Sequence, residues 1–254
     1  MILAVDTGNS NIVLGCMEGL EIRHTLRLKT DRAMSAAGYT VTLQAALAQA
    51  GFSVAGFEGG ILSSVVAAVT EPLRQALSAL LSGPVLVVGK TAKTTLPLCI
   101  DQPETIGADL IAAAEGALAQ YAPPLVLIDM GTATTFSVLD KSGIFLGGAI
   151  APGVQLGAEA LTQRTGLPMT ELSAPQSPLS HSTTDCLRSG IIYGAAAIVD
   201  GVLDRLETAL GTPVTAIATG GLARCVIPHC RRPVTLDDQL LLRGLAVMYR
   251  REMT

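Results

Sequence analysis

Residues 2–18 read ILAVDTGNSNIVLGCME, and this stretch decides the fold. An apolar run at 2–5 leads into Asp6, a polar segment with a glycine follows, and an extended apolar pattern resumes at 12–16. A continuous apolar run bounded by turn residues is typical of a strand that is covered on both faces. A short polar segment between two such runs indicates a hairpin. We therefore predict a strand, a turn that begins at an aspartate, and a second strand.

The same pattern recurs in the second half of the chain. Residues 125–139 read LVLIDMGTATTFSVL, and Asp129 stands 123 positions after Asp6, close to half of the 254 residues. Two matched copies at this offset predict an internal duplication, which we divide into domains 1–118 and 119–254.

Further strands are predicted at 60–64, 85–88 and 214–218, and another before the glycines of 147–153. Helices are predicted at 36–50, at 71–81 with Pro72 in the first turn, at 105–120, and at 183–210 with a break near 190–194. This alternation indicates an α/β fold.

Composition narrows the setting of the protein. With 49% hydrophobic and 15% charged residues, the chain does not resemble a disordered protein. Its apolar runs are too interrupted to predict a membrane span, and no basic segment precedes the first one, so we expect no secretory signal. The net charge of −4 without a basic stripe argues against a nucleic-acid partner. Five scattered cysteines favour a reducing, cytoplasmic location.

One short cluster raises the alternative of a metal site. Cys225, His229 and Cys230 lie close together in sequence, and these residue types bind zinc. No fourth ligand follows at the spacing of a zinc finger, so we favour free thiols.

The two aspartate turns carry the chemistry. Glycines in the turns let the backbone approach a ligand closely, and the hydroxyl, amide and backbone N–H groups around them suit phosphate oxygens. The carboxylates of Asp6 and Asp129 offer hard oxygen ligands for cations. The alternative is that each aspartate only caps its turn, which is ordinary for Asp-x-Gly. Two copies with matched flanks favour the ligand site. The side chains concerned are those of Asn9, Ser10, Thr132 and Thr134.

These motifs, taken together, resemble those of the type III pantothenate kinases, in the superfamily of actin, the sugar kinases and the heat-shock chaperone ATPases. The resemblance implies two duplicated ribonuclease-H-like domains with a nucleotide cleft between them. It runs through the chain in order. The matching segments are Asp6-x-Gly8-Asn9-Ser10, Pro103-Glu104-x-x-Gly107-Ala108-Asp109, Asp129-x-Gly131-Thr132-Ala133-Thr134, Gly147-Gly148-x-Ile150-x-Pro152-Gly153 and Thr219-Gly220-Gly221.

The resemblance also implies an activity. It is the ATP-dependent phosphorylation of pantothenate to 4′-phosphopantothenate, the first step of coenzyme A biosynthesis, by a cytoplasmic homodimer. Asp109 would accept the proton, Asp6 would bind Mg²⁺, and Asp129 would bind a monovalent cation, K⁺ or NH₄⁺. Without the resemblance, Asp109 reads as a charge that stabilises a helix N-terminus. The expected ATP and phosphate contacts are Asp6, Thr7, Gly8, Asn9, Ser10, Asn11, Ile12, Val13, Gly131, Thr132, Thr134, Gly220 and Gly221; the expected substrate contacts are Ile100, Gly107, Ala108, Asp109, Leu110 and Thr183.

The sequence departs from the family at two of these substrate positions. Ile100 stands where relatives have Tyr, and Leu110 where they have Arg. Losing an Arg that bonds the substrate costs about 1.5–3 kcal/mol, roughly tenfold to a hundredfold in affinity. Three interpretations stay open: a pantothenate kinase with other acceptor contacts, a kinase for a different hydroxyl compound, or a catalytically impaired or regulatory relative that acts as an accessory factor.

The homodimer has support from the residues as well. The stretch 191–199 is almost free of polar side chains, and such a helix is buried in a core or in a subunit interface. Burial within one subunit is the alternative.

Overall fold

The computed structural model describes residues 1–254 and forms two compact units. One unit comprises Met1–Pro97, Asp101–Tyr121 and Gln239–Thr254, and the other comprises Leu98–Ile100 and Ala122–Asp238. The division at 118/119 expected from the sequence differs from this mainly at the C-terminus. The last segment packs in the first unit because its apolar side chains, such as Leu245, are buried there.

The first unit is built on a five-stranded mixed sheet in the order β3-β2-β1-β4-β5. The first three strands are antiparallel neighbours, and β4 and β5 run parallel to β1. The central strand β1 therefore has a neighbour on each side, and Asp6 lies near its carboxyl end. The strands are β1 (Ile2–Thr7), β2 (Asn11–Glu18), β3 (Glu21–Lys29), β4 (Gly59–Ser64) and β5 (Val85–Val87).

Helices cover both faces of this sheet. On one face, Leu3 and Val5 pack with Leu43 and Leu73 of the first two helices. On the other face, the sheet packs against the third and the last helix. Covering on both faces explains the continuous apolar run at the start of the chain and confirms that prediction. The helices of this unit are α1 (Ala36–Gln49), α2 (Ala67–Leu80), α3 (Ala108–Leu118) and α7 (Leu240–Met253).

The second unit repeats the same sheet. Its order is β10-β9-β6-β7-β8, in which β6 takes the position of β1, β7 that of β2 and β9 that of β4. The pairing directions also repeat, so the predicted duplication holds at the level of topology. The elements are β6 (Leu125–Met130), β7 (Ala133–Leu139), β8 (Phe145–Pro152), α4 (Val154–Thr165), α5 (Thr183–Leu210), β9 (Thr215–Thr219), α6 (Ala223–Val226) and β10 (Thr235–Leu236).

Several predicted elements need correction. The helix expected at 71–81 begins at Ala67, so Pro72 lies inside it; the i−4 carbonyl that Pro72 cannot pair belongs to Ala68, an exposed residue. The helix expected at 105–120 begins at Ala108, after a 3₁₀ turn. The glycines of 147–148 lie within β8 rather than after a strand.

The helix α5 is continuous over Thr183–Leu210, without the predicted break near Gly190 and Gly194. The sequence did not reveal β3, α4, α6, β10 or α7. In β3 no residue is fully buried and polar side chains dominate, so the apolar signal of a strand is weak there.

By length and composition, α5 is the one helix that could cross a membrane. Here one face of it packs on the sheet of the second unit through Ile192, Ala196, Val199 and Leu203, all of which are buried.

Candidate functional site

The first aspartate turn joins β1 to β2 in the first unit. The N–H of Gly8 donates to the carbonyl of Asn11 at 2.9 Å, which closes the turn. Asn9 and Ser10 at its tip are exposed. Ile12, by contrast, is fully buried in the core, so only its backbone could meet a ligand. The turn therefore offers polar tip residues on a rigid hairpin.

Two residues beyond β3 hold this turn in shape. The Thr30 hydroxyl donates to the Gly8 carbonyl at 2.7 Å, and the Thr30 N–H donates to the Ser10 carbonyl at 3.1 Å. The Arg32 guanidinium donates to Oδ1 of Asn9 at 2.8 Å. Neither residue was among the expected site residues, because each stands more than 20 positions from the turn it contacts.

Asp6 has a hydroxyl group beside it on the sheet. Its cross-strand neighbours are Val13 on β2 and Ser63 on β4. Ser63 is fully buried, and its hydroxyl makes no hydrogen bond. The buried hydroxyl of Thr7 likewise has no partner. Because buried polar groups are nearly always paired, these orphan hydroxyls mark a place where a ligand is expected.

The second aspartate turn joins β6 to β7 and is one residue shorter. Here the N–H of Gly131 donates to the carbonyl of Ala133 at 3.0 Å. The start of α4 supports it: a Cβ on Gly153 would lie only 2.1 Å from the carbonyl oxygen of Thr132. Thr132 itself is exposed and Thr134 is buried. A side chain at position 153 would push this turn out of place.

Asp129 lies in a pocket of small residues and hydroxyls. A Cβ on Gly220, whose φ is +96°, would come within 2.6 Å of Oδ1 of Asp129, so only glycine leaves room beside this carboxylate. Gly221, which follows, is exposed. The cross-strand neighbours of Asp129 are Thr135 on β7 and Thr219 on β9. The Thr135 hydroxyl is buried and makes no hydrogen bond.

Asp109 lies in the first turn of α3, after Gly107 and Ala108. Its Oδ1 accepts a hydrogen bond from the N–H of Leu110 at 2.8 Å. A Cβ on Gly107 would lie 2.3 Å from the same oxygen, so glycine is needed for the carboxylate to fold back over the helix start. Burial raises the pKa of Asp109 above its ordinary value, although the backbone hydrogen bonds oppose this. A carboxylate with a raised pKa is a better proton acceptor than an exposed one.

Ile100 and Leu110, at which we expect the chain to depart from its relatives, belong to different units. Ile100 is half-buried in the second unit, where its side chain lies 3.5 Å from a Cβ placed on Gly147 of β8. Leu110 is half-buried on α3 of the first unit.

A largely apolar groove of about 630 Å³ lies between α4 and α5 in the second unit. Thr134 and Thr183 both line it, so the structure brings these two predicted site residues into one cavity. Leu161 and Ile198 add apolar side chains that remain partly exposed, 39% and 45% respectively. We call this cavity the α4–α5 groove.

The cysteine and histidine cluster has a different structural role. The chain contains no group of three or more His, Cys, Asp or Glu side chains that could hold a metal ion. His229 instead packs edge-on against Tyr193 with ring centroids 5.2 Å apart. The Cys230 thiol faces the carbonyls of Ala196 and Val226 at 3.9 Å, and burial raises its pKa to about 12.

Comparison with known proteins identifies close relatives of this chain. A family model described as type III pantothenate kinase matches residues 2–205. Over 252 residues the chain is 38% identical to a type III pantothenate kinase of an Exiguobacterium species and 35% identical to that of Moorella thermoacetica, in each case covering 99% of both chains. A ROK hexokinase structure from Thermus thermophilus matches with a TM-score of 0.53 at 14% identity, over 98% of this chain and 99% of that one. That likeness concerns the fold alone and confirms the predicted ribonuclease-H-like, sugar-kinase class.

Proposed function

The chain belongs to the type III pantothenate kinase family, and on that premise we propose a role for each of its functional residues. The reaction is the ATP-dependent phosphorylation of pantothenate to 4′-phosphopantothenate in coenzyme A biosynthesis, and it requires a divalent metal with the nucleotide. Relatives that are 35–38% identical over the full chain are named type III pantothenate kinases, and this favours the activity over an accessory role or a kinase for another substrate.

Asp109 is the proton acceptor. The pantothenate hydroxyl oxygen attacks the γ-phosphorus of ATP, its proton passes to the Asp109 carboxylate, and ADP leaves. Phosphoryl transfer needs mainly positioning and charge neutralisation, with a carboxylate to orient the attacking hydroxyl. The observation that supports this role is the raised pKa of the Asp109 carboxylate, which has room at the start of α3 because Gly107 has no side chain.

The first turn and the polar groups of the second turn bind the ATP phosphates. Asn9 and Ser10 offer exposed polar groups at one turn, and Thr132 offers a hydroxyl at the other. Asp6 is the carboxylate that would hold Mg²⁺, and the orphan hydroxyl of Ser63 beside it fits such a site. When bound, Mg²⁺ neutralises phosphate charge and usually keeps several waters.

A monovalent cation binds at Asp129. The residues present fit it, since the space beside the carboxylate is kept open by Gly220 and the neighbouring strand contributes the buried orphan hydroxyl of Thr135. Potassium and ammonium suit an oxygen-lined site of this kind.

Contacts with pantothenate come from Gly107, Ala108 and Leu110 at the start of α3, from Ile100, and from Thr183 at the start of α5. Because Ile100 and Leu110 cannot hydrogen-bond through their side chains, the remaining polar recognition falls to Asp109, Thr183 and the backbone.

The protein acts as a homodimer in the cytoplasm, without a nucleic-acid or membrane partner. The α4–α5 groove supports the dimer, because Leu161 and Ile198 present apolar side chains there that the chain itself leaves partly uncovered.

Replacement of Asp109 tests the function directly. We expect Asp109→Asn to lower kcat by about 10²–10⁴-fold, the usual contribution of a positioned general base. The affinity for ADP should stay within twofold of the wild type, because the nucleotide contacts lie elsewhere. The measurements are coupled ADP release with pantothenate, Mg²⁺ and K⁺, and titration calorimetry with ADP.

Wild-type protein without turnover on pantothenate would overturn the proposed function. An Asp109→Asn variant with wild-type kcat would overturn only the role of the base.

A further inference from the structure

The buried orphan hydroxyls of the chain all lie on strand residues next to Asp6 or Asp129. Among all described residues, the buried side-chain hydroxyls without a hydrogen bond are those of Thr7, Ser63 and Thr135. Thr7 adjoins Asp6 in sequence, and the other two are direct cross-strand neighbours of an aspartate. Leaving a buried polar group unpaired destabilises the fold, so this clustering calls for a ligand.

The register puts the hydroxyls of Ser63 and Thr135 on the same face of the sheet as the neighbouring aspartate, whereas Thr7, next to Asp6 in sequence, lies on the opposite face. Ser63 is the parallel partner of Asp6, and Thr135 is the antiparallel partner of Asp129. Directly opposed residues in an antiparallel pair have Cβ atoms about 4.5–5.5 Å apart, a separation that one cation or one water can bridge. The hydroxyl comes from a different strand in each sheet: from β4 in the first unit and from β7 in the second.

The surroundings of the two aspartates differ in a way that fits two cations. Beside Asp6, the second cross-strand neighbour is the apolar Val13, so protein oxygens are few. Beside Asp129, Thr135 and Thr219 flank the carboxylate on both sides. Mg²⁺ keeps its waters and needs few protein ligands, whereas a large monovalent cation sheds water and needs more oxygens from the protein.

We propose that Thr135 is a ligand of the monovalent cation at Asp129, and that Ser63 holds a water bound to the divalent cation at Asp6. This rests on the cation sites named in the proposed function. It adds two side chains to them, and each is specific for one cation.

The test is a double comparison of Thr135→Val and Ser63→Ala. Thermal unfolding is followed during a KCl titration at constant ionic strength kept with choline chloride, and Mn²⁺ binding in the presence of ADP is followed by electron paramagnetic resonance. We expect Thr135→Val to raise the KCl midpoint about tenfold and to leave the Mn²⁺ affinity unchanged. Ser63→Ala should weaken Mn²⁺ binding about threefold to tenfold and leave the KCl midpoint unchanged. Each variant is the matched control for the other.

Thermal unfolding in the absence of K⁺ distinguishes a role of Thr135 as a cation ligand from a purely structural role. Removing a hydroxyl that already has partners destabilises a protein, whereas removing an orphan is neutral or stabilising. In choline chloride alone, Thr135→Val should therefore unfold at the wild-type temperature or above it. Thr135→Ser should restore the KCl midpoint.

The outcomes are distinct. If the wild type responds to KCl and Thr135→Val responds at the same midpoint, Thr135 is not a ligand, although the cation site stands. If Ser63→Ala binds Mn²⁺ as the wild type does, the role of Ser63 is wrong. If both variants shift both cations alike, or Thr135→Val is destabilised in choline chloride, the hydroxyls are structural. A wild type insensitive to KCl would remove the cation site itself, and the Thr135 role with it.

Discussion

At the scale of the residue, the role proposed for Asp109 comes with a cost in stability. Its carboxylate is buried enough to raise its pKa, yet it must be ionised to accept a proton. Gly107 has no side chain and so leaves room for that carboxylate at the start of α3. The family resemblance was needed to propose Asp109 as the base, because a carboxylate in the first turn of a helix is common for reasons of stability alone.

The raised pKa predicts how stability depends on pH. A folded-state pKa above the ordinary 3.8 means that the folded protein binds the proton more tightly than the unfolded chain. The ionised carboxylate therefore lowers the stability of the folded protein at pH values above its folded-state pKa. This loss of stability disappears as the pH falls through the folded-state pKa towards 3.8. We expect Asp109→Asn to be more stable than the wild type at pH 7, with an advantage that shrinks at pH 4, by urea unfolding.

The exposed Asp101 provides the control for this measurement. Asp101→Asn should change the free energy of unfolding by less than about 0.5 kcal/mol at either pH, as expected of a surface substitution. Equal stability of Asp109→Asn and the wild type at pH 7 would contradict the assignment of a buried, ionised carboxylate.

At the scale of the element, the crossing of α3 and α7 fixes the helix that carries Asp109. Backbones approach closely there: a Cβ on Gly244 would lie 1.7 Å from the Ala112 carbonyl oxygen, and one on Gly116 would lie 2.1 Å from that of Leu240. An ion pair continues the contact, since Nη1 of Arg251 donates to both carboxylate oxygens of Glu115 at 3.1 Å. The C-terminal helix thus belongs structurally to the first unit.

A methyl group at this crossing has no space, which gives a stability prediction. We expect Gly244→Ala to lower the free energy of unfolding by about 3 kcal/mol, at the upper end of overpacking costs, because backbone rather than a flexible side chain must move. The kcat should fall as well, since α3 shifts with Asp109. Urea unfolding and the coupled assay measure the two effects.

Gly201 in α5 is the matched control. The nearest atom to a Cβ there is the flexible end of Arg205 at 3.1 Å, and alanine is the better helix former by about 1 kcal/mol. Gly201→Ala should therefore be as stable as the wild type or more so. A Gly244→Ala variant with the same behaviour would show that the crossing tolerates a side chain.

At the scale of the whole molecule, the chain contains two copies of one sheet topology, and different helices pack on each copy. Only the second copy has the long helix α5 and the α4–α5 groove. Apolar side chains line that groove and remain partly exposed, which is the feature that supports a homodimer.

Charge in the groove should separate the subunits. We expect Ile198→Glu to behave as a particle of 26.1 kDa in light scattering at micromolar concentration, and the wild type to have about twice that mass, because a carboxylate in an apolar interface is left without a partner. Glu substituted for the exposed Val41 on α1 is the control and should leave the mass of the wild type unchanged. A monomeric wild type would contradict the dimer.

The sequence by itself determined the two strand–turn–strand copies, the aspartate at each turn, the α/β class and the family. These are local patterns: an apolar run, a glycine turn and the next run lie within about fifteen residues, so short-range preferences define them. Tertiary structure alone decided that Ser63 stands beside Asp6, that Thr30 and Arg32 brace the first turn, and that α7 packs in the first unit. Such pairings join residues far apart in the chain, and long-range strand register and helix packing fix them rather than local sequence.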